Sequence, residues 1–351
     1  MTKIPTTYKN FITQSENQCS SANEEHVQSP INIHHNYICA DKHAPKLSYG
    51  QTKFSELEFS ILPSSLRVNF PKNNIPPPKI DFSELSTPIK LLNIDIKMKS
   101  EHYLNGKQYP GEFQMYFHFP KTADEHKENT EDELVALGIF MDFDENDEEN
   151  VQLEQFIRQW EEKSWKRQNE CERKKDPSVA EYAPTYYNVY RKNVMKEIWD
   201  LPQGDGNSTL RADFNVWRFM PTGYYCGYQG SLTTPPCTEK VTWRILDLPM
   251  KMSINQYERM QTILTNRIDT TTCEITSAAY NGTVNRPLQN ETNQNAVSNG
   301  PNKMFCCNAY NWPFSDENDP NYWLESWPLD YHGWQGTTVA TYKSFFDFGG
   351  I

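Results

Sequence analysis

Metal catalysis, thiol chemistry and cation binding each need particular side chains at particular spacings. This sequence supplies the residue types without the usual spacings. Its eight histidines are His26, His34, His35, His43, His102, His118, His126 and His332, and no two of them form a His-x-His pair. His34 and His35 are neighbours, so on a strand they point to opposite faces. The eight cysteines (Cys19, Cys39, Cys171, Cys226, Cys237, Cys273, Cys306 and Cys307) contain no Cys-x-x-Cys pair, which argues against a zinc knuckle or a thioredoxin-like site. An even number without metal spacing reads as disulfide-forming and points to an oxidising compartment, with the pairing left open. The acceptor sequences at Asn207, Asn281 and Asn290 fit a secretory route and glycosylation, and equally fit chance in an Asn-rich chain. The acidic run from Asp142 to Glu149 lacks the glycine and the ligand spacing of a calcium loop and reads as a solvated turn.

The chain of 351 residues carries 46 acidic and 34 basic side chains, a formal net charge of −12. That balance argues against a nucleic-acid or anionic-membrane partner, because phosphate contact needs clustered Lys and Arg. No apolar run reaches 18 residues, so no membrane-spanning helix is expected. Residues 1–25 hold no apolar block of signal-peptide length. Either a leader precedes the numbering or the protein reaches its compartment by another route.

The elements follow from periodicity. Leu66–Phe70, Leu92–Met98 and Glu112–His118 alternate apolar and polar residues and are bounded by Pro, Gly and Asn, the pattern of strands. Pro71 to Pro78 reads as a stiff surface loop. Leu153, Phe156, Ile157 and Trp160 recur at helical spacing within 151–175, and a second helix is expected over 253–266. Residues 301–351 hold 13 of the chain's 46 aromatic residues, too many to float free in water. That tail must pack on its own domain or on a partner.

Four segments in order, Gln28-Ser-Pro-Ile-Asn-Ile33, Ser100-Glu-His102 running to Gly111-Glu112, Leu134–Phe140, and Gly230–Glu239 with Val241-Thr-Trp243, resemble the α-class carbonic anhydrases. Asn285-Arg-Pro287 resembles the family's closing segment. The resemblance implies a mainly β (α+β) domain over 18–297. Its centre would be a twisted, mostly antiparallel sheet of about ten strands, with peripheral helices around it. It leaves an extension at 1–17, a charged helical insertion at about 161–192 and an aromatic extension at 298–351. It implies a disulfide between Cys19 and Cys237. It also implies a funnel whose floor holds zinc on three histidines.

Those three ligand positions fall on Asp95, Lys97 and Gln114. An ammonium repels a cation, an amide oxygen is a weak donor, and one carboxylate alone cannot hold zinc. Zinc is therefore not expected as a cofactor, and no catalytic residue is assigned. The family's proton shuttle falls on Ser64. A small residue lining the carbon dioxide pocket becomes Tyr116, whose ring fills that space. Glu101, His102, Glu112 and Thr233 are retained with Leu232 and Trp243, as residues that in the family support the zinc hydroxide or the fold. Asp95 and Lys97, two apart on one face, either form an ion pair beside Gln114 or belong, with Asn93 and Lys99, to a solvent-facing strand.

The resemblance thus points to the family's inactive members: not an enzyme, but a structural or protein-binding module, possible subunit of a larger assembly. Its protein partners would be met through the 161–192 insertion with Trp165 and through the tail with Trp312, Trp323, Trp327 and Trp334. Two alternatives remain: a divergent zinc carbonic anhydrase with a relocated metal, and a glycan-binding attachment protein. The expected location is the cell exterior, the cell surface or an organelle lumen such as the mitochondrial intermembrane space.

Overall fold

The computed structural model describes residues 28–33, 46–48, 57–70, 77–81, 89–119, 133–181, 219–221, 225–235, 237–277, 285–289 and 305–306. The strands are β1 (Asn32–Ile33), β2 (Lys46–Ser48), β3 (Glu58–Ile61), β4 (Leu66–Asn69), β5 (Lys79–Asp81), β6 (Ile89–Met98), β7 (Tyr103–Leu104), β8 (Lys107–Gln108), β9 (Gly111–Phe119), β10 (Glu133–Phe143), β11 (Tyr225–Ser231), β12 (Glu239–Leu246), β13 (Met250–Met252) and β14 (Phe305–Cys306). Two helices are described, α1 (Val151–Lys175) and α2 (Ile254–Thr265).

Eleven strands form one sheet in the order β14-β11-β12-β10-β9-β6-β4-β3, with β13 beside β10, β5 beside β6 and β2 beside β5. Within this sheet, among the described residues, only the β10–β12 and β10–β13 pairs are parallel. Strands β1, β7 and β8 make a separate three-stranded sheet, in which β1 and β7 also run parallel. The mainly antiparallel sheet expected from the sequence is present, with two described helices at its periphery.

Period-two alternation gives the large sheet two different faces. On β9, Phe113, Met115 and Phe117 turn to one face, and on β6, Ile94, Ile96 and Met98 join them. Helix α1 covers this core with Leu153, Phe156, Ile157 and Trp160. Phe59 of β3 meets the rings of Phe156 and Trp160 edge-on at 5.5 and 5.6 Å. Each large side chain so buried contributes about 1.5–3 kcal/mol. The opposite face carries a smaller apolar cluster that includes Ile31, Phe140, Tyr228 and Trp243. The even-numbered polar residues of β9 lie on that face.

Both helices begin on a cap. Asn150 accepts from the Leu153 amide at 3.1 Å, and Ser253 forms a reciprocal capping box with Gln256. The Gln256 carboxamide also reaches the Asn150 backbone at 2.9 Å in both directions, so the two helix starts brace each other. Asn150→Ala is expected to lower stability by about 1 kcal/mol, measured by urea denaturation. An unchanged midpoint would show the cap to be idle.

Helix α1 runs on to Lys175, beyond what packing on the sheet requires, and Cys171 within it is bonded to Cys273 across 102 residues. Cys226 and Cys237 are each engaged in a disulfide as well. Cys19, the partner that the resemblance implies for Cys237, lies outside the described residues, as do Asn207, Asn281, Asn290, Trp312, Trp323, Trp327 and Trp334. Of the aromatic tail, Phe305–Cys306 is described, and it pairs antiparallel with β11, Cys306 facing Cys226. The tail therefore touches its own domain at its start. No described helix is long and apolar enough to cross a membrane.

Candidate functional site

Strands β6 and β9 are paired so that Asp95 faces Gln114, Lys97 faces Glu112 and Asn93 faces Tyr116. The residues between them (Ile94, Ile96, Phe113 and Met115) anchor the apolar core, so strand alternation fixes this polar set on the other face. It is not a solvated face. Asp95 is 3% exposed, Lys97 1% and Gln114 0%. Only the flanking Lys99 is exposed and Asn93 half-buried.

The expected Asp95–Lys97 pair does not form. Asp95 instead takes both its hydrogen bonds from the Arg67 guanidinium, at 2.6 Å each. Arg67 lies directly opposite it on β4, and that bond is the chief reason the guanidinium holds its proton more firmly than usual. The Lys97 ammonium is set against Glu101 at 3.5 Å. Gln114 donates to Glu101 at 3.1 Å and to Glu112 at 3.0 Å, and accepts from the Tyr116 hydroxyl at 2.9 Å. Burial, and then the carboxylates of Asp95, Glu101 and Glu112, push the Tyr116 phenol well above its ordinary value, so it remains a donor. Thr233, on the loop after β11, is buried with its hydroxyl close to that phenol.

Glu112 is the hub of the other wing. It accepts from the backbone amides of Glu101 and His102 at 2.8 and 2.9 Å, and meets the His102 Nδ1 at 2.7 Å. Burial alone would raise this carboxyl. The His102 charge and the hydrogen bonds from His102 and Gln114 outweigh it and hold Glu112 below the usual carboxylate range. Gly138 makes room for it: a Cβ there would sit 2.7 Å from Ile245 Cδ1 and 3.0 Å from Glu112 Oε1.

His102 Nε2 continues the network to the Tyr228 hydroxyl at 2.6 Å, which meets Ser29 Oγ at 2.8 Å. Ser29 Oγ in turn accepts from the Ser231 amide at 3.1 Å. Arg286 closes the circuit, reaching the Ser29 carbonyl and, at 3.0 Å, the Gln28 side chain, while its own amide donates to Glu101 at 3.4 Å. The segments Gln28–Pro30, Ser100–His102, Gly230–Leu232 and Asn285–Pro287, scattered through the chain, are thus one connected structure. Arg67 and Tyr228 were missed by sequence reasoning, although an arginine in the middle of the alternating run Leu66–Phe70 was a usable signal.

The residues at the three positions do not fit a zinc ion. Zinc needs lone pairs converging on it. Here Lys97 and Gln114 aim N–H groups at Glu101 and Glu112, both Asp95 oxygens are taken by Arg67, and the Gln114 oxygen is taken by Tyr116. Among the described residues no group of three His, Cys, Asp or Glu side chains could hold a metal ion. His118, on the same strand as Gln114, is half-buried at the far end of the face. Ser64 sits, 8% exposed, in the turn between β3 and β4. Trp165 projects from α1 and is 39% exposed.

A large, mostly antiparallel sheet with peripheral helices is the architecture implied by the resemblance. The profile of the eukaryotic-type carbonic anhydrases matches residues 13–191 and 178–299, and the chain belongs to that family. Bovine (Bos taurus) carbonic anhydrase 6 is 36% identical over 90 residues, 25% of this chain and 27% of that protein. Carbonic anhydrase 7 of Mus musculus is 26% identical over 170 residues, 48% of each. The chain thus spans about a quarter to a half of the length of these curated relatives. Similar solved structures include an α-carbonic anhydrase of Thermovibrio ammonificans with sulfanilamide, at 19% identity and TM-score 0.46, covering 80% of this chain and 86% of that one. Carbonic anhydrase Cah3 of Chlamydomonas reinhardtii with acetazolamide gives 19% identity and TM-score 0.49, covering 82% of this chain and 92% of that one.

Family membership corrects one expectation. The sequence reading made the chain a non-enzyme, whereas the family and the relatives it matches are carbonic anhydrases. The polar side chains of Asp95, Lys97 and Gln114 describe one cluster. They do not remove the chain from a family of enzymes.

Proposed function

We propose that this carbonic anhydrase family domain serves as a structural or protein-binding module, with Asp95, Lys97 and Gln114 standing where the family places its metal ligands and zinc not held between them. The observation that carries the reading is the Lys97 ammonium, 1% exposed and set against Glu101. It puts a lysine head group where the fold would otherwise receive a cation. Arg67, Lys97 and the Arg286 backbone amide then serve the carboxylates of Asp95 and Glu101, so those two charges are answered by the protein itself. In this reading Tyr116 fills the small-molecule pocket, Ser64 replaces the proton shuttle, and Glu101, His102, Glu112 and Thr233 keep a structural role. Partners meet the exposed surface of α1 around Trp165 and the C-terminal extension. The Cys171–Cys273 disulfide supports an oxidising compartment.

Family membership favours a second reading, hydration of carbon dioxide on a metal held by other residues. One experiment separates the two. Zinc content and carbon dioxide hydration are measured on the purified full chain and on Asp95→Asn and Gln114→Met. Under the first reading, metal content is the same in all three samples, because neither Asp95 nor Gln114 holds any of it. Stoichiometric zinc lost with either substitution overturns the proposal outright. Chelator-sensitive turnover in all three favours the relocated metal.

A further inference from the structure

The end of the large sheet at β3 is closed by cations. In the β3–β4 hairpin the Leu62 amide donates to the Ser65 carbonyl at 2.9 Å. Ser60–Arg67 and Glu58–Asn69 share the parity of that pair and are its hydrogen-bonded successors, so Phe59 and Ile61 turn their carbonyls away from β4. Both carbonyls have a cation on them. Lys163 Nζ, from the charged half of α1, donates to the Phe59 carbonyl. Ile61 accepts from Arg167 of the same helix at 3.5 Å and from Arg267, just past α2, at 2.8 Å.

These three side chains crowd together against their electrostatic preference. Burial, then the nearby Arg167, lowers the Lys163 ammonium, and the same two causes lower Arg267. Such crowding is tolerated because each head group has a carbonyl to bind. The two arms that deliver the cations are also tied together. Cys171 of α1 is bonded to Cys273 in the loop that follows Arg267, and Lys174 donates to the Thr270 carbonyl of that loop. The extension of α1 past Trp160, longer than core packing demands, therefore has an intramolecular task.

We propose that the charged half of α1, pinned by the Cys171–Cys273 disulfide, is a strap over the β3 edge that prevents a second copy of this chain from adding its own β3 there. An edge strand presents a row of carbonyls and amides that templates pairing, and natural proteins blunt such edges with lysine or a covering helix. The same edge on a second copy is self-complementary about a two-fold axis, which makes that copy the partner the strap excludes. Among the described residues no other strand pairs with β3 besides β4.

The test is the double variant Lys163→Met/Arg167→Met of the full chain, which removes the charges but keeps apolar stems. Sedimentation velocity is followed from dilute to concentrated solution, and amide exchange is followed over residues 57–62. The expected result is a mass that rises toward twice that of the wild type with concentration, and faster exchange than wild type when dilute. A folded variant that sediments and exchanges like the wild type throughout overturns the proposal. So does a wild type that already associates through 57–62. Should the double variant not fold, Lys163→Met alone carries the same two readouts and the same overturning result.

Discussion

Glu112→Gln is expected to cost about 3–5 kcal/mol of stability and to remove a distinct acid-labile part of the stability profile. Glu112 is fully buried and accepts hydrogen bonds from two backbone amides, from Gln114 and from the side of His102. An amide in its place turns an NH₂ group toward donors and leaves at least one of them unmatched. The pH dependence follows from the direction of its shift. The folded-state value lies below the unfolded one, because the His102 charge and the hydrogen bonds outweigh burial. The unfolded chain therefore takes up the proton first as pH falls. The stability that Glu112 contributes is complete above the unfolded carboxyl value of about 4.3, and is lost as pH falls through the lower folded value. Urea denaturation at a series of pH values from neutral downward measures both effects. Equal pH slopes for wild type and variant, or a loss below about 1 kcal/mol, would falsify the assignment of Glu112 as the hub.

The second large effect is expected at Lys97. Lys97→Met is close in volume and keeps the apolar stem, yet it strands the Glu101 carboxylate, 2% exposed, beside Glu112 and Gln114. Breaking one side of a buried pair costs about 3–5 kcal/mol, most of it the penalty of an uncompensated charge. Adding Glu101→Gln removes that charge, and the double variant is expected to recover most of the loss. The cycle of single and double variants then gives a coupling of about 3 kcal/mol, the upper end of the range for contacting residues. Measured additivity would mean that the 3.5 Å separation is a mere approach of two side chains and that the cluster is held by Glu112 alone. Neither result depends on whether the chain hydrates carbon dioxide. Both test the cluster's charge balance rather than the proposed function.

The polar cluster and the strap explain different parts of the chain. The first gathers four family segments around a buried charge set on one face of the sheet. The second accounts for the half of α1 that lies beyond the residues it packs on the sheet core. Between them lies Arg67, whose guanidinium serves Asp95 and whose carbonyl accepts from the Trp160 indole at 3.2 Å. Helix and cluster are thus joined through a single residue of β4.

Much of this could be read from the residues in order. Alternation in Leu66–Phe70, Leu92–Met98 and Glu112–His118 determined three strands of the sheet, and the 3.6-residue recurrence of Leu153, Phe156, Ile157 and Trp160 determined α1, because both signals are local. The second helix was equally legible. Which charge answers which was not. Asp95 and Lys97 share a face, but side chains two residues apart on a strand are about 6.6 Å apart, whereas partners across a ladder are about 5 Å apart. Register therefore gave Asp95 to Arg67, and the turn after β6 gave Lys97 to Glu101. The same reasoning covers the Cys171–Cys273 bond and the three cations on β3: residues 102 or more positions apart meet only because the helices dock on the sheet, and no short-range pattern encodes that docking.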